Sequence, residues 1–144
     1  MSLWTQLCGW PGIHRGLTEQ DLDPDPVQQF QRWLRFAARA GCHWPNAMCL
    51  ATVGADGAPA ARMVLLKDCN VEGFSFYTHI NGRKGRELAA RPAAALVFHW
   101  VELQRQVRIE GAAEPLPRET APAYFATRPR LSQLGAWASR QSEP

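Results

Sequence analysis

The chain has no apolar run near the ~18 residues that a membrane-crossing helix requires; even Ala93 to Phe98 stops at His99. A soluble protein with no membrane partner is expected. The segment from Met1 to Pro11 lacks the basic start, long apolar centre and small-residue cleavage site of a secretory signal, so the expected compartment is the cytoplasm. Charge of one sign is scarce too: 16 Lys and Arg face 13 Asp and Glu, a net of +3 spread along the chain. That excess is too small to call for nucleic acid as a partner, and any basic site must be argued locally. Four cysteines, Cys8, Cys42, Cys49 and Cys69, form no CxxC pair and no Cys/His grouping, and are expected reduced. The four histidines are scattered, so no metal site is expected. There is no GxGxxG fingerprint, no P-loop and no GxSxG elbow.

What remains is the patterning of one domain-sized chain of 144 residues, 46% of them hydrophobic. Residues 1–23 show no sustained period and are expected to form a loose arm ahead of a domain spanning 24–144. Asp23-Pro24-Asp25-Pro26 is helix-start chemistry, and Val27, Phe30, Trp33, Leu34, Ala37 and Ala38 then recur at helical spacing up to Gly41. Met48 to Val53 and Arg62 to Lys67 flank the turn Ala55-Asp56-Gly57, which predicts a hairpin. Phe74 to Thr78 alternates like a third strand, after punctuation from Asn70 to Gly73. A short helix is predicted after Gly82, closed at Arg91-Pro92. Strands follow over 94–100 and 104–113, the latter with Gln104, Gln106, Arg108 and Glu110 on one face. Helices are predicted over 117–127, with Pro122 in the first turn, and over 131–139. Short strands joined by short turns, with peripheral helices, make the expected fold α+β, a small antiparallel β-barrel.

Basic residues cluster twice. Arg62 and Lys67 bound one strand and Arg83-Lys84 follows Thr78, an arrangement that fits either the mouth of a phosphate pocket or ordinary surface charge. Tyr124, Arg128 and Ser132 recur every four residues, which on an unbroken helix would align them; a packed ring, a snorkelling Arg and a helix-capping Ser fit the same spacing.

Several runs occur together in order: Arg62-Met63-Val64-Leu65-Leu66-Lys67, Phe76-Tyr77-Thr78, Gly82-Arg83-Lys84-Gly85, Arg105 to Gly111, Tyr124-Phe125, Arg128-Pro129-Arg130, and Ser132 to Ser139 followed by Gln141-Ser142. From about Gly16 to Ser142 the chain resembles the pyridoxamine 5'-phosphate oxidases. The resemblance implies an FMN-binding split β-barrel, working as a homodimer with the flavin at the subunit interface. It places Arg62, Met63, Val64, Leu65, Leu66 and Lys67 along the FMN site, Arg62 on the phosphate. Tyr77, Thr78, Arg83, Lys84, Gln106, Gln141 and Ser142 supply the remaining cofactor contacts, and Lys67, Tyr124, Arg128 and Ser132 hold the substrate. Two phosphate-bearing ligands would account for two basic clusters.

The implied activity is the oxidation of pyridoxamine or pyridoxine 5'-phosphate to pyridoxal 5'-phosphate with oxygen as acceptor. The flavin carries the redox chemistry, so no catalytic triad or metal is called for. Gly82 stands where the family commonly has Ser, and the chain ends at Pro144, where the family's C-terminal region would follow, so it is expected to be truncated relative to the family. Two alternatives stay open: a flavin- or B6-vitamer-binding protein with little turnover, and a related split-barrel flavin oxidase with another substrate.

Overall fold

A computed structural model of the chain describes residues 17–139. The expected arm therefore lies largely outside the described residues. Its last part holds a single 3-10 turn, Glu19–Asp21, in which Thr18 donates its N–H and hydroxyl to the Asp21 carboxylate.

Helix α1, Pro26–Arg39, begins where the sequence predicts. The Asp25 carboxylate accepts from the Val27 and Gln28 N–H groups at 2.8 and 3.4 Å, and Pro26 occupies the first helical position, where no N–H is needed. It ends in a Schellman motif. Gly41 adopts φ 76°, a left-handed conformation that glycine takes without a Cβ penalty, while the N–H groups of Gly41 and Cys42 donate to the carbonyls of Ala38 and Ala37.

Strands β1, Ala47–Val53, and β2, Pro59–Leu65, form the expected hairpin, closed by the Gly54 N–H on the Ala58 carbonyl at 2.9 Å. Along β1 burial alternates with period two, so Met48, Leu50 and Thr52 are inside. After β5, Ala93–Trp100, a 3-10 turn at Val101–Leu103 leads into β6, Arg105–Ala112. The strand order of this four-stranded sheet is β2-β1-β5-β6. In β6, Arg105, Val107 and Ile109 are half-buried while Gln106, Arg108 and Glu110 are exposed, the alternation expected from the sequence.

The third predicted strand is corrected. Residues 68–75 form a small antiparallel hairpin of β3, Asp68–Asn70, and β4, Gly73–Ser75, paired Asp68 to Ser75, Cys69 to Phe74 and Asn70 to Gly73. Asn70 drives the reversal: its side-chain oxygen accepts from the Glu72 N–H at 2.8 Å, and Gly73 follows at φ 140°. The Asn70 to Gly73 punctuation is thus a turn between two short strands, and Tyr77 and Thr78 lie beyond β4, outside any strand. Helix α2 runs Arg83–Ala90, α3 Thr120–Thr127 and α4 Arg130–Ala138. Pro122 is the third residue of α3, within the first turn, where a proline costs no helical hydrogen bond.

The described residues divide into two compact units. The first comprises 17–49, Met63–Phe76 and Leu96–Ile109; the second comprises Leu50–Arg62, Tyr77–Ala95 and 110–139. The first is built around an aromatic cluster. The Phe30 ring lies 4.8 Å from those of Phe74 and Phe98 and 6.1 Å from that of Trp100, and the Trp100 indole N–H donates to the Pro45 carbonyl at 2.8 Å. Phe30 is 3% exposed. Phe30→Ala is therefore expected to destabilise the chain by about 3–5 kcal/mol, the usual cost of emptying an aromatic site in a packed core, read from urea unfolding curves.

Candidate functional site

The second unit carries the denser chemistry, centred on the start of α2. Gly82 is the N-cap of this helix and offers no capping side chain, its N–H donating instead to the His79 carbonyl at 3.1 Å. Arg83 and Lys84 fill the first two helical positions, and no acidic residue lies in the first turn. Cations at the positive end of a helix dipole are unfavourable unless an anion joins them. Gly85 explains how the turn forms: a Cβ there would come 2.1 Å from the Ile80 carbonyl oxygen, so only glycine lets α2 lie against that loop.

One carboxylate ties this turn to the β1–β2 hairpin. Glu87 Oε1 accepts from the Arg83 Nε–H at 2.7 Å, one helical turn away. Its Oε2 accepts from the Arg62 Nη2–H at 2.8 Å and from the Thr52 hydroxyl at 2.5 Å. The Thr52 oxygen in turn accepts from Arg62 Nη1–H, whose other acceptors are the carbonyls of Leu50 and Ala60 at 3.4 and 3.3 Å. Thr52 is 1% exposed and Glu87 7%. The Thr52 hydroxyl first, then Arg83, and then Arg62 by hydrogen bond and charge hold the Glu87 carboxyl down to about 2, although burial pushes the other way. Burial and the nearby Arg62 charge lower the Lys84 ammonium below its usual range, while Glu87 pulls it back up. Three cations, Arg62, Arg83 and Lys84, thus surround a single carboxylate at a helix start with no side-chain cap. That set has the chemistry to fit a phosphate ester.

Neither Thr52 nor Glu87 was among the residues picked from the sequence. Only the Arg83/Glu87 spacing of four was legible there; Thr52 looks like one more strand hydroxyl until the hairpin folds.

Among the other expected flavin contacts, Met63 is exposed, Val64 and Leu65 are half-buried and Leu66 is in the core of the first unit. Lys67 is exposed and lines a cleft of about 350 Å³ in that unit, with Gln31, Leu34, Arg35 and Asn46. Gln106 is exposed on β6 and Thr78 on the loop after β4. Gln141 and Ser142 lie outside the described residues.

The structure does bring Tyr77 and Tyr124 together, one expected at the flavin and one at the substrate. Their rings stack at 4.1 Å with planes 2° apart. The helical alignment of Tyr124, Arg128 and Ser132 is interrupted, because Arg128 leaves α3 in extended geometry and Pro129 precedes α4. Ser132 is the third residue of α4 rather than its cap, so the capping alternative for it is set aside. Arg128 lies with its guanidinium carbon 5.8 Å from the Phe125 ring centre. Among the described residues no group of three or more His, Cys, Asp or Glu could hold a metal ion.

A pH series tests the carboxylate. Because its folded-state pKa, about 2, lies below the ordinary value of 4.5, Glu87 contributes stability that is fully present above pH 4.5 and is lost as pH falls toward 2. The stability gap between the wild type and Glu87→Gln, read from urea midpoints, is expected to be widest above pH 4.5 and to narrow down to pH 2. A gap that stays constant across that range would contradict the network. Thr52→Val, which leaves buried polar partners unmatched, is expected to cost about 1–3 kcal/mol at neutral pH.

Comparisons with known proteins agree with this fold. The family model described as Pyridoxamine 5'-phosphate oxidase matches residues 34–144. A pyridoxine/pyridoxamine 5'-phosphate oxidase of Rubrobacter xylanophilus is 60% identical over 129 residues, which is 90% of this chain and 59% of that protein. Its counterpart in Thermosynechococcus vestitus is 58% identical over 127 residues, 88% of this chain and 60% of that protein. The chain thus spans about three fifths of the length of these curated relatives. Among solved structures, PhzG from Burkholderia lata 383, in complex with tetrahydrophenazine-1-carboxylic acid, superimposes with a TM-score of 0.85 at 30% identity, over 92% of this chain and 67% of that one. A pyridoxamine 5'-phosphate oxidase-related, FMN binding protein from Nostoc punctiforme gives a TM-score of 0.68 at 17% identity, over 83% of this chain and 68% of that one, and shows a shared fold alone. These neighbours bear out the α+β split-barrel expectation. By sequence match and by fold, the chain belongs to the pyridoxamine 5'-phosphate oxidase family.

Proposed function

We propose that this chain binds FMN and acts in the oxidation of pyridoxamine or pyridoxine 5'-phosphate to pyridoxal 5'-phosphate, with oxygen as acceptor, as a cytoplasmic homodimer. The observation that carries the reading is the cation set at the start of α2: Arg62, Arg83 and Lys84 around one carboxylate, at a helix start with no acidic residue in its first turn. On this family scaffold that set would hold the flavin phosphate. Met63 to Lys67, Tyr77, Thr78, Gln106, Gln141 and Ser142 are the further residues proposed to line the flavin. Lys67, Tyr124, Arg128 and Ser132 are proposed to hold the substrate and its phosphate.

When bound, FMN supplies the two-electron redox chemistry, and the protein's part is to bind and orient. Arg and Lys neutralise the two phosphate esters; Arg can do so through a planar fork and Lys as a point charge. The Tyr77–Tyr124 stack joins a proposed flavin residue to a proposed substrate residue, which supports placing the two ligands side by side. Relatives at 58–60% identity carry the B6-vitamer name, whereas the phenazine-bound neighbour is at 30%. That contrast favours the vitamer over another flavin-oxidase substrate.

The test is to purify the chain, record its visible absorption for bound flavin and assay pyridoxal 5'-phosphate formation under oxygen. Flavin uptake with product formation is expected. Flavin uptake without product would leave a flavin-binding protein and overturn the oxidase reading, and a colourless protein that takes up no FMN would overturn the flavin site as well. Lys84→Ala is expected to weaken FMN binding about 10- to 100-fold, the scale of one hydrogen bond to a charged group, roughly 1.5–3 kcal/mol. Arg128→Ala is expected to raise KM by a similar factor with flavin retained; loss of flavin instead would show that the two phosphate clusters have been divided wrongly.

A further inference from the structure

We propose that Glu87 is a positioning residue for the phosphate of the flavin, holding the guanidinium groups of Arg62 and Arg83 in the orientation that receives it. The inference rests on the FMN reading above and deepens it by assigning a role to an acidic residue at an anion site. A carboxylate beside a phosphate is at first sight misplaced, since it repels the ligand. Its geometry shows why it is there.

The two oxygens of Glu87 divide their work. Oε1 takes the Nε–H of Arg83 at 2.7 Å and Oε2 takes an Nη2–H of Arg62 at 2.8 Å, so one rigid planar group sets the direction of two guanidinium planes that come from a helix and a strand. The Thr52 hydroxyl, donating to Oε2 and accepting from Arg62 Nη1–H, closes a ring of three residues, Thr52, Arg62 and Glu87, within this four-residue network and restrains the rotation of the carboxylate. Every side-chain oxygen in it is buried and matched, because no buried side-chain nitrogen or oxygen among the described residues lacks a hydrogen bond. Arg83 remains 60% exposed at its side chain while Arg62 is 20% exposed. The network therefore engages both terminal nitrogens of Arg62 and the Nε–H of Arg83, and of the two side chains Arg83 is the one more accessible to solvent. Preorganisation of this kind removes the cost of ordering two long side chains when the phosphate binds.

Positioning and plain electrostatics make opposite predictions. If Glu87 mattered to the ligand only through its charge, Glu87→Gln would remove a repulsion and strengthen phosphate binding. As a positioning residue, it would weaken phosphate binding while leaving binding of the rest of the flavin unchanged. The measured quantity is the ratio of the dissociation constants of riboflavin and FMN, from quenching of flavin fluorescence by the full chain, since riboflavin lacks only the phosphate.

Glu87→Gln is expected to lower this ratio about tenfold. Glu87→Asp keeps the charge and is better placed to fold, yet is one methylene too short to span both arginines, and is expected to lower the ratio as well. Thr52→Ser, which retains the hydroxyl, is expected to preserve it. A ratio unchanged in both Glu87 variants would overturn the inference and make Glu87 a structural support alone; an increased ratio in Glu87→Gln would overturn it in favour of simple repulsion. Where Glu87→Gln does not fold, Glu87→Asp decides by the same criteria. A wild-type chain that binds both flavins equally, or neither, would instead overturn the flavin-phosphate reading on which the inference stands.

Discussion

A single carboxylate, buried to 7% exposure, joins three elements of the second unit: Arg62 from β2, Thr52 from β1 and Arg83 from α2 all bond to Glu87. Most of what is distinctive in that unit depends on it. An arginine as sequestered as Arg62 needs a charged partner, because an unpaired buried charge is far costlier than the pair. Glu87 in turn needs all of its donors, and the hydroxyl of Thr52 stands on a strand face where Met48 and Leu50 are purely apolar. The consequence is a basic helix start that tolerates three cations in one place. Burial first, and then the charge of Arg62, depress the Lys84 ammonium, and the Glu87 charge opposes both.

The two units are held by different physics. The first relies on aromatic packing around Phe30, Phe74, Phe98 and Trp100, with polar groups confined to roles such as the Trp100 indole bond to Pro45. The second relies on a matched polar network and on glycine at position 85, where a side chain would collide with the Ile80 carbonyl. The proposed phosphate site coincides with the polar network, where hydrogen bonds give a direction that apolar packing does not.

Much of the fold was legible from residue order alone. Asp25-Pro26 and Gly41 announced the ends of α1, the Asp56-Gly57 turn announced the first hairpin, and the alternation of β6 holds from Arg105 to Glu110, while Gln104, expected in the strand, precedes it at φ 48°. The failure came at residues 68–78, where Phe74, Phe76 and Tyr77 suggest one continuous strand. Pairing with Asp68 to Asn70 captures only Gly73 to Ser75, and a three-residue partner strand carries too little pattern to be seen alone.

For the site, residue type is what raises the proposal of anion chemistry: clustered Arg and Lys beside glycines can hold phosphate whatever the surrounding fold, because charge and hydrogen-bond geometry belong to the side chains themselves. Which cations act together, and what restrains them, could not be read that way. Thr52, Arg62 and Glu87 are 10 and 25 residues apart along the chain and meet only when the hairpin and α2 have folded. Likewise, the stacking of Tyr77 on Tyr124 and the break at Arg128-Pro129 are products of packing. Local geometry follows from neighbours in sequence, but a buried charge finds its partner only through long-range contacts, and so the identity of Glu87 as that partner belonged to the folded chain alone.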